Sequence, residues 1–359
     1  MYKFEDLIEE VKEFNTDLRY GLDDIVGVTI EKGLIPTIAN LTQTALDKFY
    51  IIKPETFVYN PRTHGIRLGM GYNDTCNTYI TTWNNVAFRV KDTAKNIVIP
   101  QYLWLYFCRP VWDRLTNFLA WGSSTIVFAW KDFLTIEIDL PSITRQREIV
   151  AEYETLTRRI RINEQMIQNL ESTAQTLYHK MFVDGIDKQN LPEGWRMGKI
   201  GDLFELQRGF DLPSQDRIDG IYPIYASTGI TEYHNEYKIE PPCVITGRSG
   251  SIGEVFYVNK RCWPLNTTLW VKNFKGTPSF FVYYKLKELE LGKTVSGFAA
   301  VPTLNRNDVH IMDSLIPPYC LLEEFEKYMM VIHINFSKKE QENKNLTKLQ
   351  SLLLAKMGQ

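Results

Sequence analysis

The chain has 359 residues, 44% of them hydrophobic and 23% charged, which is the composition of an ordinary globular protein with more length than one core usually takes, so two domains are expected. A net charge of −2 excludes bulk basicity as an argument for a nucleic-acid partner, and any DNA-facing surface has to arise from local clustering. No uncharged apolar run reaches membrane-spanning length, and the acidic opening MYKFEDLIEEVKEF has neither the basic nor the apolar region of a signal peptide, so a soluble, cytoplasmic protein is expected.

In chain order, the first block, residues 1–140, reads as mixed α/β with short strands, a helix over Gln101 to Asn117 and a small-residue loop at Gly122-Ser123-Ser124. From Arg145 to Phe182 there is no Gly or Pro, and Ile149, Tyr153, Leu156, Ile160, Asn163, Ile167, Leu170, Ala174, Leu177 and Met181 recur at alternating spacings of four and three. That pattern predicts a long helix with a coiled-coil seam, started by Pro141-Ser142 and stopped by Gly185. The second block, 184–314, contains the strand-like runs YPIYAS, CVITG, GEVFYV and TTLWV, a helix from Pro278 to Leu291 and a small-residue loop Ser296-Gly297-Phe298-Ala299-Ala300. A second long helix is expected over about 320–357, with Phe325, Met329, Ile332, Phe336, Leu346, Leu353 and Met357 on the seam and a polar middle from Ser337 to Asn345. Two such helices packed centre to centre would set this polar middle against Asn163, fixing register at some cost in stability.

The blocks are copies of one another. At an offset of 176 residues Asp132 falls on Asp308, Pro141 on Pro317, Glu148 on Glu324, Asn169-Leu170 on Asn345-Leu346 and Met181 on Met357, and Lys32-Gly33 on Arg208-Gly209. The stretches between, about 34–131 and 210–307, share almost nothing. A duplicated frame with dissimilar inserts is what a scaffold presenting two different recognition surfaces requires.

Catalytic chemistry finds little support. Gly247 to Gly253 (GRSGSIG) is neither a phosphate-binding loop of the Gly-Lys-Ser/Thr type nor a dinucleotide fingerprint, and strands rather than a helix flank it. Leu315-Ile316-Pro317-Pro318-Tyr319 lacks the Asn or Asp that an amino-methyltransferase needs before Pro-Pro-Tyr. Asp132 and Asp308 match across the repeat but suit capping or framework duty. The five cysteines and five histidines have no metal-ligand spacing, and the cysteines are expected to be buried free thiols. No catalytic residue and no metal site is therefore expected. What remains are DNA-reading groups. Arg248 and Ser249 sit at the tip of the Gly-rich hairpin and Asn266 and Thr267 in the polar run Asn266-Thr267-Thr268, and Arg208 and Lys293 are further candidates in the same block. In the first block Arg67 and, from the interleaved segment NDTCNTYITTWNN, Asn77, Thr81 and Asn84 are the candidates. Arg reads guanine bidentately, and Asn and Thr suit adenine edges and the thymine methyl. A two-domain protein-interaction adaptor would carry the same duplicated frame; an enzyme would hardly carry two dissimilar copies of a site.

The order of motifs resembles the specificity subunit of type I restriction–modification enzymes over essentially the whole chain. Leu191-Pro192-Glu193-Gly194-Trp195 followed by Ile200-Gly201-Asp202-Leu203 is similar to the opening of that family's target recognition domain. Pro141-Ser142 with Gln146 and Ile149 is similar to the opening of its spacer helix, and GRSGSIG with Pro264 to Thr268 to the interior of one domain subtype. The first half departs, with Asn15 to Arg19 at the offset of Leu-Pro-x-Gly-Trp, and Leu322 stands where a second glutamine is expected, implying altered capping there. The resemblance implies a fold of mixed α/β target recognition domains, two in tandem, separated by long antiparallel coiled-coil spacer helices: 1–140 first target recognition domain, 141–183 first spacer helix, 184–314 second target recognition domain, 315–359 second spacer helix. It further implies a non-catalytic subunit binding double-stranded DNA and two modification (methyltransferase) subunits, joined by restriction (translocase/nuclease) subunits. No cofactor of its own is implied, S-adenosylmethionine being expected on the modification subunits that methylate adenine.

Overall fold

The computed structural model describes residues 1–37, 44–63, 67–122, 126–294 and 303–357. The chain divides into two compact units, Met1–Ile162 with Glu342–Gln359, and Asn163–Gln341. Among the described residues no helix is long and apolar enough to cross a membrane.

The first unit is built on a six-stranded antiparallel sheet in the order Ile8–Glu10, Val86–Val90, Phe57–Tyr59, Met70–Tyr72, Val26–Thr29, Gly33–Pro36. Its register sets Phe88 opposite Phe57 and Phe57 opposite Tyr72, and the rings stack with centroids 5.0 and 4.6 Å apart. Such cross-strand aromatic pairs hold a sheet in one register, because a slip of one residue would turn every ring to the other face. Phe4, Phe107, Trp112, Phe128 and Phe133 complete the aromatic core, and Ile149, Val150 and Leu354 from the two long helices are buried in the same cluster. The helix expected over Gln101 to Asn117 is two helices, Pro100–Phe107 and Pro110–Leu119. Pro110 ends the first by removing a backbone donor and suits the first turn of the second, where no donor is needed.

The second unit has a four-stranded antiparallel sheet in the order Glu205–Arg208, Thr268–Asn273, Cys243–Gly247, Val255–Val258. A three-stranded sheet, Gly229–His234, Tyr222–Ala226 and Trp263–Pro264, accompanies it. All four runs expected as strands are strands. The helix expected to reach Leu291 stops at Glu288, with Glu290 at a positive φ of 43° before a short turn of helix at Leu291–Thr294. Tyr178 and Phe182 of the first long helix and Phe325 and Met329 of the second enter this core with Phe204, Val244, Leu269 and Phe281.

The first long helix runs from Ile143 to Phe182, and every one of the ten expected seam residues is buried or half-buried, Asn163 fully. Ser142 Oγ accepts from Arg145 N at 3.3 Å at its start, and Gly185, at φ +72°, follows its end. The second long helix is Tyr319–Lys356. Pro318 occupies the position equivalent to Ser142 and has no side-chain acceptor, so this helix begins without that cap. Within each unit the two helices run antiparallel. In the first, Arg159 pairs with Glu342 at 2.6 Å and Leu354 lies in the cluster of Ile149. In the second, Phe182 packs on Phe325 with centroids 5.1 Å apart and Ala174 lies in the cluster of Met329.

The expected cysteine burial holds only in part. All five are free; Cys243 and Cys262 are buried and Cys108 half-buried, but Cys76 and Cys320 are exposed. Asp132 and Asp308 lie in the first turns of the short helices Trp130–Leu134 and Arg306–His310, where acidic residues complement the helix dipole. Ser123 and Ser124 and the loop Ser296 to Ala300 lie outside the described residues.

Candidate nucleic-acid interface

In the second unit the strands Cys243–Gly247 and Val255–Val258 are joined by the Gly-rich loop. Its shape follows from its glycines. A side chain at Gly247 would begin 1.9 Å from the Ser251 carbonyl oxygen, and one at Gly253, which has φ +85°, would meet Gly292 N at 2.5 Å. The loop therefore turns tightly on itself and lies against the Leu291–Thr294 turn that carries the exposed Lys293.

Backbone bonds tie the loop to its neighbours. Arg248 N and Ser249 N donate to Thr267 O at 2.9 and 3.2 Å, and Leu304 N donates to Arg248 O at 2.8 Å. Side chains continue the connection: Arg248 Nη1 donates to Asn266 O at 3.4 Å, Asn266 Nδ2 to Asp211 Oδ1, and Arg208 Nη2 to the same Asp211 oxygen at 3.5 Å. Thus four sequence candidates, Arg208, Arg248, Ser249 and Asn266, form one surface patch; Thr267 joins it through its carbonyl, its hydroxyl being buried, and Lys293 sits beside the loop, ion-paired with Glu290 at 2.7 Å. Asp211 completes the cluster and escaped the sequence reading. Its only signal was its position three residues after Arg208, where it can share a charge. Arrayed in this way, guanidinium and amide donors with one carboxylate acceptor can address phosphates and the donor and acceptor edges of bases.

The first-unit candidates behave differently. Asn77 and Asn84 are exposed. Thr81 is not available: it is fully buried, donating to Val26 O at 2.9 Å and accepting from Asn85 Nδ2 at 2.7 Å. Its place in the strand Tyr79–Thr81 turns it inward. Asn73 is also buried, bonding Ile52 O, Asn77 O and Thr75 N to shape the turn. The polar segment is therefore half framework.

Arg67 lies in a more informative place. The loop between Phe57–Tyr59 and Met70–Tyr72 occupies the same position in its sheet as GRSGSIG does in the second. Phe128 N donates to Pro61 O at 2.8 Å as Leu304 N does to Arg248 O, and Asn60 N donates to Gly69 O at 2.9 Å as Gly247 N does to Glu254 O. Val127 pairs with Arg62 as Thr303 does with Ser249. The framework aligns Pro61 with Arg248, so the exposed cations of this loop in the first unit are Arg62 and Arg67. Arg62 escaped the sequence reading because no ungapped offset aligns the two loops.

Residues 192–310 match the sequence model of the type I restriction modification DNA specificity domain. No curated protein sequence matches the chain. Among solved structures it is similar to the type I restriction–modification system S subunit from M. genitalium, with TM-score 0.62 and 16% identity over 100% of this chain and 95% of that one. A second similar structure comes from a study of complex assembly and conformational transition of the type I R-M system, with TM-score 0.54 and 17% identity over 100% of this chain and 97% of that one. At such identities the structures establish the fold, and the matched domain lies across the unit that carries the Arg248 cluster. Residues 192–310 thus match a type I restriction modification DNA specificity domain, and the chain as a whole shares the fold of these S-subunit and R-M structures.

Proposed function

We propose that this chain is the sequence-reading, non-catalytic component of a type I restriction–modification complex, with residues 1–140 and 184–314 each reading one half of a bipartite duplex site and 141–183 and 315–359 as spacers. The observation that carries the reading is the shared hydrogen-bonded frame around the two hairpin loops, with Arg248 on one and Pro61 at the same place on the other. One frame with unlike side chains fits two domains that read unlike sequences. Modification subunits carrying S-adenosylmethionine would supply adenine methylation and restriction subunits cleavage. The similar structure from an R-M assembly study supports such partners. The chain itself would hold no cofactor or metal, and its polar cluster is bonded within itself and poised for contact with DNA.

The test is reconstitution. The purified chain alone should transfer no methyl group to duplex DNA, and addition of the modification subunits and S-adenosylmethionine should give methylation at one bipartite motif. Robust transfer by the isolated chain would overturn the reading.

A further inference from the structure

In the first unit the loop from Asn60 to Gly69 is held along the helix Pro110–Leu119 at two points: Thr63 Oγ1 bonds Asn117 Oδ1 at 3.1 Å, and Leu68 N donates to Asp113 Oδ1 at 3.4 Å. Lys32 locks the second point, its ammonium 2.6 Å from Asp113 and 2.7 Å from Leu68 O, with both charged side chains almost entirely buried. Thr63 and Leu68 thus share one face with the helix. In the second unit the Arg248 loop likewise lies against a helical turn, Leu291–Thr294.

The face carries an unusual set of side chains. Arg62, Arg67 and Arg114 are exposed and, among the described residues, form no ion pair, in a protein whose net charge is −2. The same helix and the residues after it carry two exposed aromatic side chains, Phe118 at 84% and Trp121 at 66%, the latter donating from Nε1 to Asp132 Oδ2 at 3.4 Å with the Lys131 ammonium 5.7 Å from its ring. Trp121 is positioned by two backbone bonds with Val127, at 3.1 Å each, and Val127 is the residue paired with Arg62. Exposed rings on the same face as guanidinium groups without ion pairs match an anionic, partly apolar partner.

We infer that the first unit docks on duplex DNA through this face, with Arg62 and Arg114 as the cationic contacts and Phe118 and Trp121 packing on sugar or base, in place of the Asn77, Thr81 and Asn84 segment. This rests on the reading of the chain as a DNA specificity subunit. Guanidinium groups suit phosphate or guanine, and an aromatic side chain can lie on a thymine methyl or wedge at a base step.

The experiment is equilibrium binding of a fluorescent duplex carrying the methylated motif to the full chain with its modification subunits, over a range of salt. Arg62→Ala with Arg114→Ala should weaken binding about 10- to 100-fold and flatten the salt dependence by one to two counter-ions. Phe118→Ala, at so exposed a position, should weaken it about 5-fold or more without lowering the melting temperature. Arg248→Ala in the second unit is measured alongside. If Arg248→Ala weakens binding and the first-unit variants do not, the inference fails while the specificity-subunit reading stands. If none of them does, both fail. If the first-unit variants lose the modification subunits but keep their affinity for DNA, the face is a protein contact and the inference is overturned.

Discussion

Gln146 and Glu326 anchor the same kind of element one helical turn apart in the two repeats. Gln146 Oε1 accepts from Ile99 N at 3.1 Å, at the start of the helix Pro100–Phe107, while its Nε2 donates to Ile97 O and Pro141 O at 2.8 and 2.9 Å. In the second repeat the equivalent position is the buried Leu322, and Glu326, on the position of Val150, accepts from Phe280 N at 3.0 Å and Ser279 Oγ at 3.1 Å. Each repeat thus keeps one apolar and one polar side chain on this stretch of spacer helix and exchanges their order, so the missing glutamine is compensated.

From this pairing, Gln146→Leu should destabilise the first unit by about 2–4 kcal/mol, because it leaves a donor and two carbonyls in the core without partners. Calorimetry of the full chain would register this as a lowered melting temperature. An unchanged melt would show that water replaces the glutamine.

The second unit should weaken in mild acid. His333 stacks on Phe280 with centroids 4.3 Å apart, and burial, aided by Lys287 and opposed by Glu171, holds its pKa down to about 4. The unfolded chain binds that proton more readily, so this contribution is present above the ordinary value of 6.5 and is lost as the pH falls toward 4. Burial raises the nearby Glu326 carboxyl above its ordinary 4.5, which acts with the opposite sign at lower pH. Melts from about pH 7 to about pH 5 should show wild type losing a few °C more than His333→Phe. Parallel pH profiles would remove His333 as the source.

The two long helices offer a test of spacing. The first continues unbroken through its 40 residues, which at ~1.5 Å per residue is roughly 60 Å of helix. Adding seven residues at Asn163 and at the repeat-equivalent Lys339 preserves the heptad phase and lengthens each helix by about 10 Å, or roughly three base pairs at ~3.4 Å each. Methylome sequencing should find both half-sites kept and the gap between them widened. An unchanged gap in an active complex would show that these helices do not set it.

What could be seen in the sequence followed the physics of each element. The seam from Ile149 to Met181 was legible because burial along a helix imposes one spacing over ten residues. The second-unit patch was legible because Arg248 and Asn266 lie in loops too polar for a core. The equivalence of the two opening segments was not. Phe4 N donates to Ile136 O, and Ile200 N to Met312 O, both at 3.0 Å. These two short helices, Phe4–Leu7 and Ile200–Leu203, lie at a different offset from the spacers. Insertions and deletions in the loops break the alignment while the hydrogen bonds survive. The counterpart of the segment before Ile200 is therefore the start of the chain before Phe4, not Asn15 to Arg19. Thr81 misled for another reason: a threonine in a short strand looks the same in sequence whether its hydroxyl faces solvent or, as here, the carbonyl of Val26.

The central claim is that two independent readers share one chain, and exchange of residues 196–307 for the corresponding block of a relative with a different target tests it most directly. Methylome sequencing of a strain carrying the chimera should show one half of the bipartite motif replaced and the other half, with the gap, retained. A change in both halves, or in neither, in a strain that still methylates would contradict the account.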